Sequence, residues 1–172
     1  MTGKAVSVED LKSIGKLNQY IIMPRYGINL SDFFVSQNMN LSKATVLDIG
    51  VKVLKQIKAV HRAGFIYNDL KPDNIMLEND SGDFERNFEE RSNILEGKGL
   101  FLIDFGFCSQ FKDQSTGKLH ACHYLKKFRG NLRYASADQL DFKSTSRKDD
   151  LVSLCYMLVY LANKGKFLDT EC

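Results

Sequence analysis

Between Ser42 and Gly64 apolar residues return at steps of three or four: Val46, Ile49, Val53, Ile57 and Val60. A repeat of 3.6 residues places them on one side of a helix. Ser42 can accept a hydrogen bond from an orphaned backbone N–H at the helix start, and Gly64 can close its end. The spacing therefore predicts a long helix to about Ala63. Leu30 to Val35 reads as a short helix. Tyr20-Ile21-Ile22-Met23 is apolar and β-prone, and Pro24 stops it. It predicts a buried strand leading into a turn at Gly27. Phe65 to Tyr67 and Ile75 to Leu77 are short apolar runs on either side of a polar loop. Leu100 to Ile103 reads as another strand. Leu151 to Ala162 is apolar at most positions, which predicts a helix buried nearly all round. Residues 1–19 carry weak signals, and there is no internal repeat.

Composition narrows the picture. A chain of 172 residues is long enough for one domain with its own core. Hydrophobic residues make up 44% and charged residues 26%, the balance of an ordinary folded domain rather than a disordered one. No apolar run approaches the length of about 18 residues that a membrane span needs. Met1 to Asp10 lack the pattern of a secretory signal. Cys108, Cys122, Cys155 and Cys172 are scattered, so reduced thiols inside a cell are expected. His120, Cys122 and His123 lie close together but have no fourth metal ligand at useful spacing. A net charge of +3 is too small to imply a nucleic-acid partner. Its distribution is uneven. Lys112 to Lys148 holds nine Lys/Arg against three acids, whereas Glu78 to Gly99 holds seven acids against three Lys/Arg.

The candidate chemistry lies in the polar loop. Asp69-x-Lys71-x-x-Asn74 sits between two apolar runs, and a later strand delivers Asp104-Phe105-Gly106. Phosphoryl transfer needs a carboxylate to orient the attacking hydroxyl and a cation to offset charge on the moving group. It also needs two oxygen ligands for magnesium. Asp69, Lys71, Asn74 and Asp104 can fill these roles.

These segments carry a resemblance. Tyr67-Asn68-Asp69-Leu70-Lys71-Pro72-Asp73-Asn74 resembles the protein-kinase catalytic loop, and Leu102-Ile103-Asp104-Phe105-Gly106 resembles the magnesium-binding segment. Gly130-Asn131-Leu132-Arg133-Tyr134-Ala135-Ser136, followed by Ser146-Arg147-Lys148-Asp149-Asp150-Leu151, is similar to the casein kinase 1 pattern. The resemblance runs from about Tyr20 to Phe167. It implies an α+β, protein-kinase-like fold, mostly the helical C-terminal lobe, with both ends truncated. Residues 1–26 would be a remnant of the N-terminal β lobe and the hinge, and 27–172 a partial C-terminal lobe. Within the latter fall a catalytic loop at 67–74, an acidic insert at 78–99, the 104–106 motif, an activation segment at 107–148 and a buried helix at 150–162.

It also implies site roles. ATP and Mg2+ would be the cofactors, with Asn74 and Asp104 holding the metal. Met23 would stand beside the adenine. The Pro24 carbonyl and the Tyr26 N–H would bind its edge, since the donor that proline lacks is not the one required. Asp32 would lie near the ribose or serve only as a helix-start charge. Met76 would form the floor under the base or simply pack in the core, and Ile103 would also belong to the ATP-binding site. Arg133 would line an anion pocket, with Lys126 and Lys127 either assisting or merely solvated. Asp150 would cap the catalytic-loop backbone. The implied function is ATP-dependent phosphorylation of Ser/Thr in proteins, preferring acidic or already phosphorylated substrates. No nucleic-acid or membrane partner is implied, and the setting would be cytoplasmic or nuclear.

Several positions depart from the pattern. Asn68 replaces the arginine that in many kinases pairs with a phosphorylated activation loop, so activity is expected not to depend on such phosphorylation. Tyr67 replaces the usual histidine. The acidic insert is expected to be an exposed hairpin extension. Cys155 is expected to fill a small buried site in the last helix. Residues 1–19 contain no Gly-x-Gly-x-x-Gly and no Val-Ala-x-Lys. This leaves two readings, a partial kinase chain or a non-catalytic pseudokinase acting as a scaffold. A generic helical adaptor would explain neither aspartate motif.

Overall fold

The structure, a computed structural model, describes residues 21–79, 95 and 97–167. Tyr20, the remnant expected before it, most of the acidic insert and Cys172 lie outside the described residues.

Helix α1 spans Leu30–Ser36, and Asn29 caps it by accepting from the Asp32 N–H at 2.7 Å. Helix α2 spans Lys43–Arg62 and begins at Ser42, whose hydroxyl accepts from Thr45 N at 3.1 Å. Its periodic face is the buried one: Val46, Ile49, Val53 and Ile57. Each such side chain contributes roughly 2 kcal/mol on leaving water. Gly64 ends the helix with φ +92°, a conformation that suits glycine. Two small antiparallel sheets follow. Strand β1 (Phe65–Ile66) pairs with β4 (Ser109–Gln110), while β2 (Ile75–Leu77) pairs with β3 (Leu100–Leu102) in the register Ile75↔Leu102. Glu78 N donates to Gly99 O at 2.9 Å, so the acidic insert leaves and re-enters at one point. Most of its interior lies outside the described residues, but Leu95 is described and is buried in the core. Helix α3 (Ala137–Leu140) starts in a capping box of Ser136 and Gln139, and helix α4 spans Arg147–Ala162.

The core forms where α2 crosses α4. Leu154, Met157 and Leu161 of α4 join Ile49, Val53 and Ile57 of α2, with Leu30 and Phe33 of α1 and the inner residues of β2 and β3 around them. The two long helices approach closely at Gly50, where a Cβ would lie 2.9 Å from Leu158 Cδ1.

Three expectations need correction. Ile21, Ile22 and Met23 form no strand and are 85%, 72% and 53% exposed. A strand requires a partner for its backbone, and none of the described residues supplies one. Gly27 makes no turn. Its N–H donates to Leu77 O at 2.8 Å while Ile28 O accepts from Leu77 N at 2.9 Å, so the chain runs extended beside β2. A side chain there would press on the Leu77 and Glu78 carbonyls at 3.1 Å. Helix α4 begins at Arg147, earlier than 150, and it is not buried all round. Leu151, Cys155, Tyr156 and Val159 are exposed because only one face meets α2. Cys155 therefore fills no buried site.

Candidate active site

The loop after β1 is held from below by α4. Asp150, at the start of that helix, accepts from Tyr67 N and Asn68 N at 2.8 Å each and lies 2.7 Å from His61 Nε2. The expected cap is therefore present. The two N–H groups are released from β1 as it ends, and a buried carboxylate satisfies both. Asn68 then takes a left-handed backbone at φ +70°, which directs Asp69 inward.

Asp69 is only 1% exposed. Its Oδ2 accepts from Lys71 Nζ at 2.8 Å and from Asn74 Nδ2 at 2.8 Å. The same Asn74 amide reaches the Asp69 carbonyl at 3.0 Å, because a 3-10 turn over Pro72–Asn74 folds the chain back. Asp69 Oδ1 is buried with no partner among the described residues. An unsatisfied buried acceptor costs about 1–3 kcal/mol, so an oxygen left in this state calls for a donor.

Asp104 arrives beside this loop because Ile103 N donates to Asn74 O at 3.0 Å. Its backbone is also left-handed, φ +55°, and its exposed carboxylate accepts from Gly106 N at 3.1 Å. The Asn74 amide nitrogen is committed to Asp69, which leaves its oxygen as the remaining acceptor. An amide oxygen and a carboxylate make a hard oxygen donor set that suits magnesium. Tyr67 fills the space behind them. Its hydroxyl donates to Ile103 O at 2.5 Å and its ring meets Phe105 edge-on at 5.5 Å between centroids. Burial pushes the Tyr67 phenol well above its ordinary range, with the charges of Asp69 and Asp104 adding to the effect, so it stays a donor. Asp69, Lys71 and Asn74 are thus directly bonded, and Asp104 is joined to them through the Asn74 backbone.

Residues 8–171 match the protein kinase domain family. The chain belongs to the protein kinase family. It is casein kinase 1-like. It is 32% identical over 151 residues to the casein kinase 1-like protein HD16 of Oryza sativa subsp. japonica, which covers 86% of this chain and 20% of that protein. It is 28% identical over 146 residues to a probable casein kinase I homolog of Encephalitozoon cuniculi, covering 85% of this chain and 42% of the homolog. The chain thus spans less than half the length of either relative.

The remaining residues expected in this kinase site are placed as follows. Met23 and Pro24 lie in exposed, irregular chain. Tyr26 stacks on Phe101 at 4.8 Å, which anchors the segment from there onward. Asp32 is exposed and bonded to Asn29 Nδ2 at 2.9 Å, the arrangement of a helix-start charge. Met76 is half-buried in β2, bridging to Asn29, and Ile103 follows β3 directly. Arg133 lines a cleft with Asp73 and Asn131, its guanidinium 5.8 Å from the Tyr160 ring centre. Lys126 and Lys127 line a different cleft with Phe107 and Arg129, so they do not join Arg133. The basic segment is also less bare than its sequence suggests. Lys143 bonds Asp138 and Asp141 at 3.2 Å each, Lys148 bonds Asp138 and Asp149, and Arg147 lies over Phe111.

Sequence reasoning missed His61, Ser109, Gln139 and Thr145, all of which buttress the loop. Only Gln139 had a local signal, the Ser-x-x-Gln capping box. The others are bonded to residues 41 to 89 positions away.

Proposed function

We propose that the protein to which this chain belongs transfers the γ-phosphoryl group of ATP to Ser or Thr hydroxyls of proteins, favouring acidic or already phosphorylated substrates. The observation that carries the reading is the buried, partnerless Asp69 Oδ1 beside an Oδ2 fixed by Lys71 and Asn74. With one oxygen fixed, the other is left to accept from the incoming hydroxyl, which orients that hydroxyl's lone pair toward phosphorus. A new hydroxyl-oxygen to phosphorus bond forms as the bond to the β–γ bridging oxygen breaks. ADP leaves, and the hydroxyl proton passes to Asp69. Lys71 Nζ, 2.8 Å from Asp69, offsets charge on the moving group. Magnesium, held by Asn74 and Asp104, would neutralise the phosphate oxygens. The substrate preference rests on Lys126, Lys127, Arg129 and Arg133, all of them exposed or facing a cleft and none in an ion pair among the described residues. No described helix is long and apolar enough to cross a membrane. Three unpaired cysteines among the described residues fit a cytoplasmic or nuclear setting.

The test is Asp69→Asn in the full natural protein, assayed with Mg-ATP and an acidic peptide. Phosphotransfer should fall by at least about a hundredfold while nucleotide binding is retained. An unchanged rate would refute the role of Asp69. The pseudokinase reading draws on the absence of Gly-x-Gly-x-x-Gly and Val-Ala-x-Lys from the 172 residues. It expects no magnesium-dependent phosphotransfer from the full protein at all.

A further inference from the structure

Asn68 is buried beside Asp69, yet none of its side-chain bonds goes to the rest of the catalytic loop, and one long contact reaches back to Ile66 O in β1. Its Nδ2 donates to Phe107 O at 2.8 Å and to Ser109 Oγ at 2.9 Å, just beyond the Asp104 motif. Its Oδ1 accepts from Thr145 Oγ1 at 2.5 Å, at the far end of the basic segment. Its backbone oxygen accepts from Gln139 Nε2 at 3.1 Å, and a Cβ on Gly130 (φ +105°) would lie 2.3 Å from that oxygen. One neutral amide therefore ties together both ends of the stretch from Phe107 to Thr145, the stretch that carries the basic residues proposed to meet substrate.

We propose that Asn68 is a positioning residue that holds the two ends of the segment 107–145 against the catalytic loop through uncharged hydrogen bonds, so that no pairing of an arginine with a phosphate is needed there. Every partner of the Asn68 side chain is a carbonyl or a hydroxyl. Such bonds, partly sheltered from water, are little affected by ionic strength, unlike a pairing of arginine with phosphate. The left-handed backbone offers a competing explanation, that asparagine is present only because it tolerates φ +70°. Glycine tolerates that backbone better and lacks the amide, so the two explanations separate. The proposal rests on the kinase reading for its purpose, but its test reads segment order and requires no phosphotransfer.

The experiment is limited trypsin digestion of the full natural protein. Cleavage after the exposed Lys126 and Lys127 is measured against cleavage after the exposed Lys164 and Lys166. Wild type should be cut at Lys126 and Lys127 at the same rate before and after phosphatase treatment, and at low and high salt. Asn68→Gly should speed those two cuts about tenfold, as expected for losing buried hydrogen bonds, and leave the control cuts unchanged. Asn68→Asp, which sets a carboxylate oxygen against Phe107 O, should do at least as much. Should either variant fold poorly, Ser109→Ala with Thr145→Val removes only the partner hydroxyls and should also loosen the segment selectively. Equal cleavage of wild type and Asn68→Gly would overturn the proposal. So would exposure of the segment by phosphatase alone. Intact protection in a protein that transfers no phosphate would leave this proposal standing and count against the proposed function instead.

Discussion

Asp150 is 1% exposed, and its two oxygens receive Tyr67 N, Asn68 N and the His61 ring. Replacing it by alanine strands two buried N–H donors, each costing about 1–3 kcal/mol. Asp150→Ala should therefore lower unfolding free energy by about 3 kcal/mol, and Asp150→Asn, which keeps one acceptor oxygen, by about half of that. Urea titrations of the two variants measure the difference. Equal losses would mean that the carboxylate acts through its charge rather than by accepting these two bonds. Asp69, Lys71 and Asn74 were readable in the sequence because they fall within six positions and a single turn sets their geometry. Asp150 could be read only through the family pattern. His61 and Thr145 could not be read at all, because nothing local to a histidine near a helix end or to a threonine in a polar stretch reveals a partner 89 or 77 residues away.

At the scale of elements, the helix starts were legible where a cap and an apolar period coincide, as at Ser42 and α2. The expected strand is absent over its described part, Ile21–Met23, because β pairing is non-local and an apolar run does not name its partner. The last helix formed as expected, but its burial nearly all round failed for a different reason. Counting apolar residues does not say how many sides are covered. Its start, however, supports a firm prediction. Asp149 is buried at the N-terminus of α4. Burial raises its carboxyl, but bonds from Ser136 Oγ at 2.6 Å, Ser146 N at 2.6 Å and Lys148 Nζ at 2.9 Å outweigh that and hold it below the usual aspartate range. The unfolded chain binds this proton more readily than the folded one. The stabilisation is therefore complete above about pH 3.9, the unfolded value, and is lost as pH falls through the lower folded value. Ser136→Ala removes one of the bonds to this carboxylate, which also receives the Ser146 hydroxyl at 3.2 Å, and should move acid unfolding, followed by circular dichroism, to higher pH. A midpoint that stays put would show that Lys148 and the N–H and hydroxyl of Ser146 hold the charge without help.

For the molecule as a whole, the covered and uncovered faces of the two long helices are unequal. Helix α2 buries Ile49, Val53 and Ile57 but exposes Leu47, Val51 and Leu54, and α4 exposes Leu151, Tyr156 and Val159. Single exposed apolar residues are ordinary, but apolar surface gathered on a helix favours association. The chain also matches only part of each relative's length, so further sequence in those proteins lies beyond what is aligned here. The 172-residue chain by itself is therefore expected to self-associate with rising concentration and to bind a hydrophobic dye while still folded. Sedimentation velocity over a concentration series measures the first and dye fluorescence the second. Leu47→Lys with Val51→Glu on α2, or Leu151→Glu with Val159→Lys on α4, should reduce both without loss of helix content, since these side chains contribute little to the core. Should wild type remain monomeric and dye-silent, the outward residues would be adequately solvated as they stand. Should only the α4 pair suppress association, that helix would be the face where apolar cover is needed. The α2 face would then be ordinary surface, as its interleaved Lys52, Lys55 and Lys58 would allow.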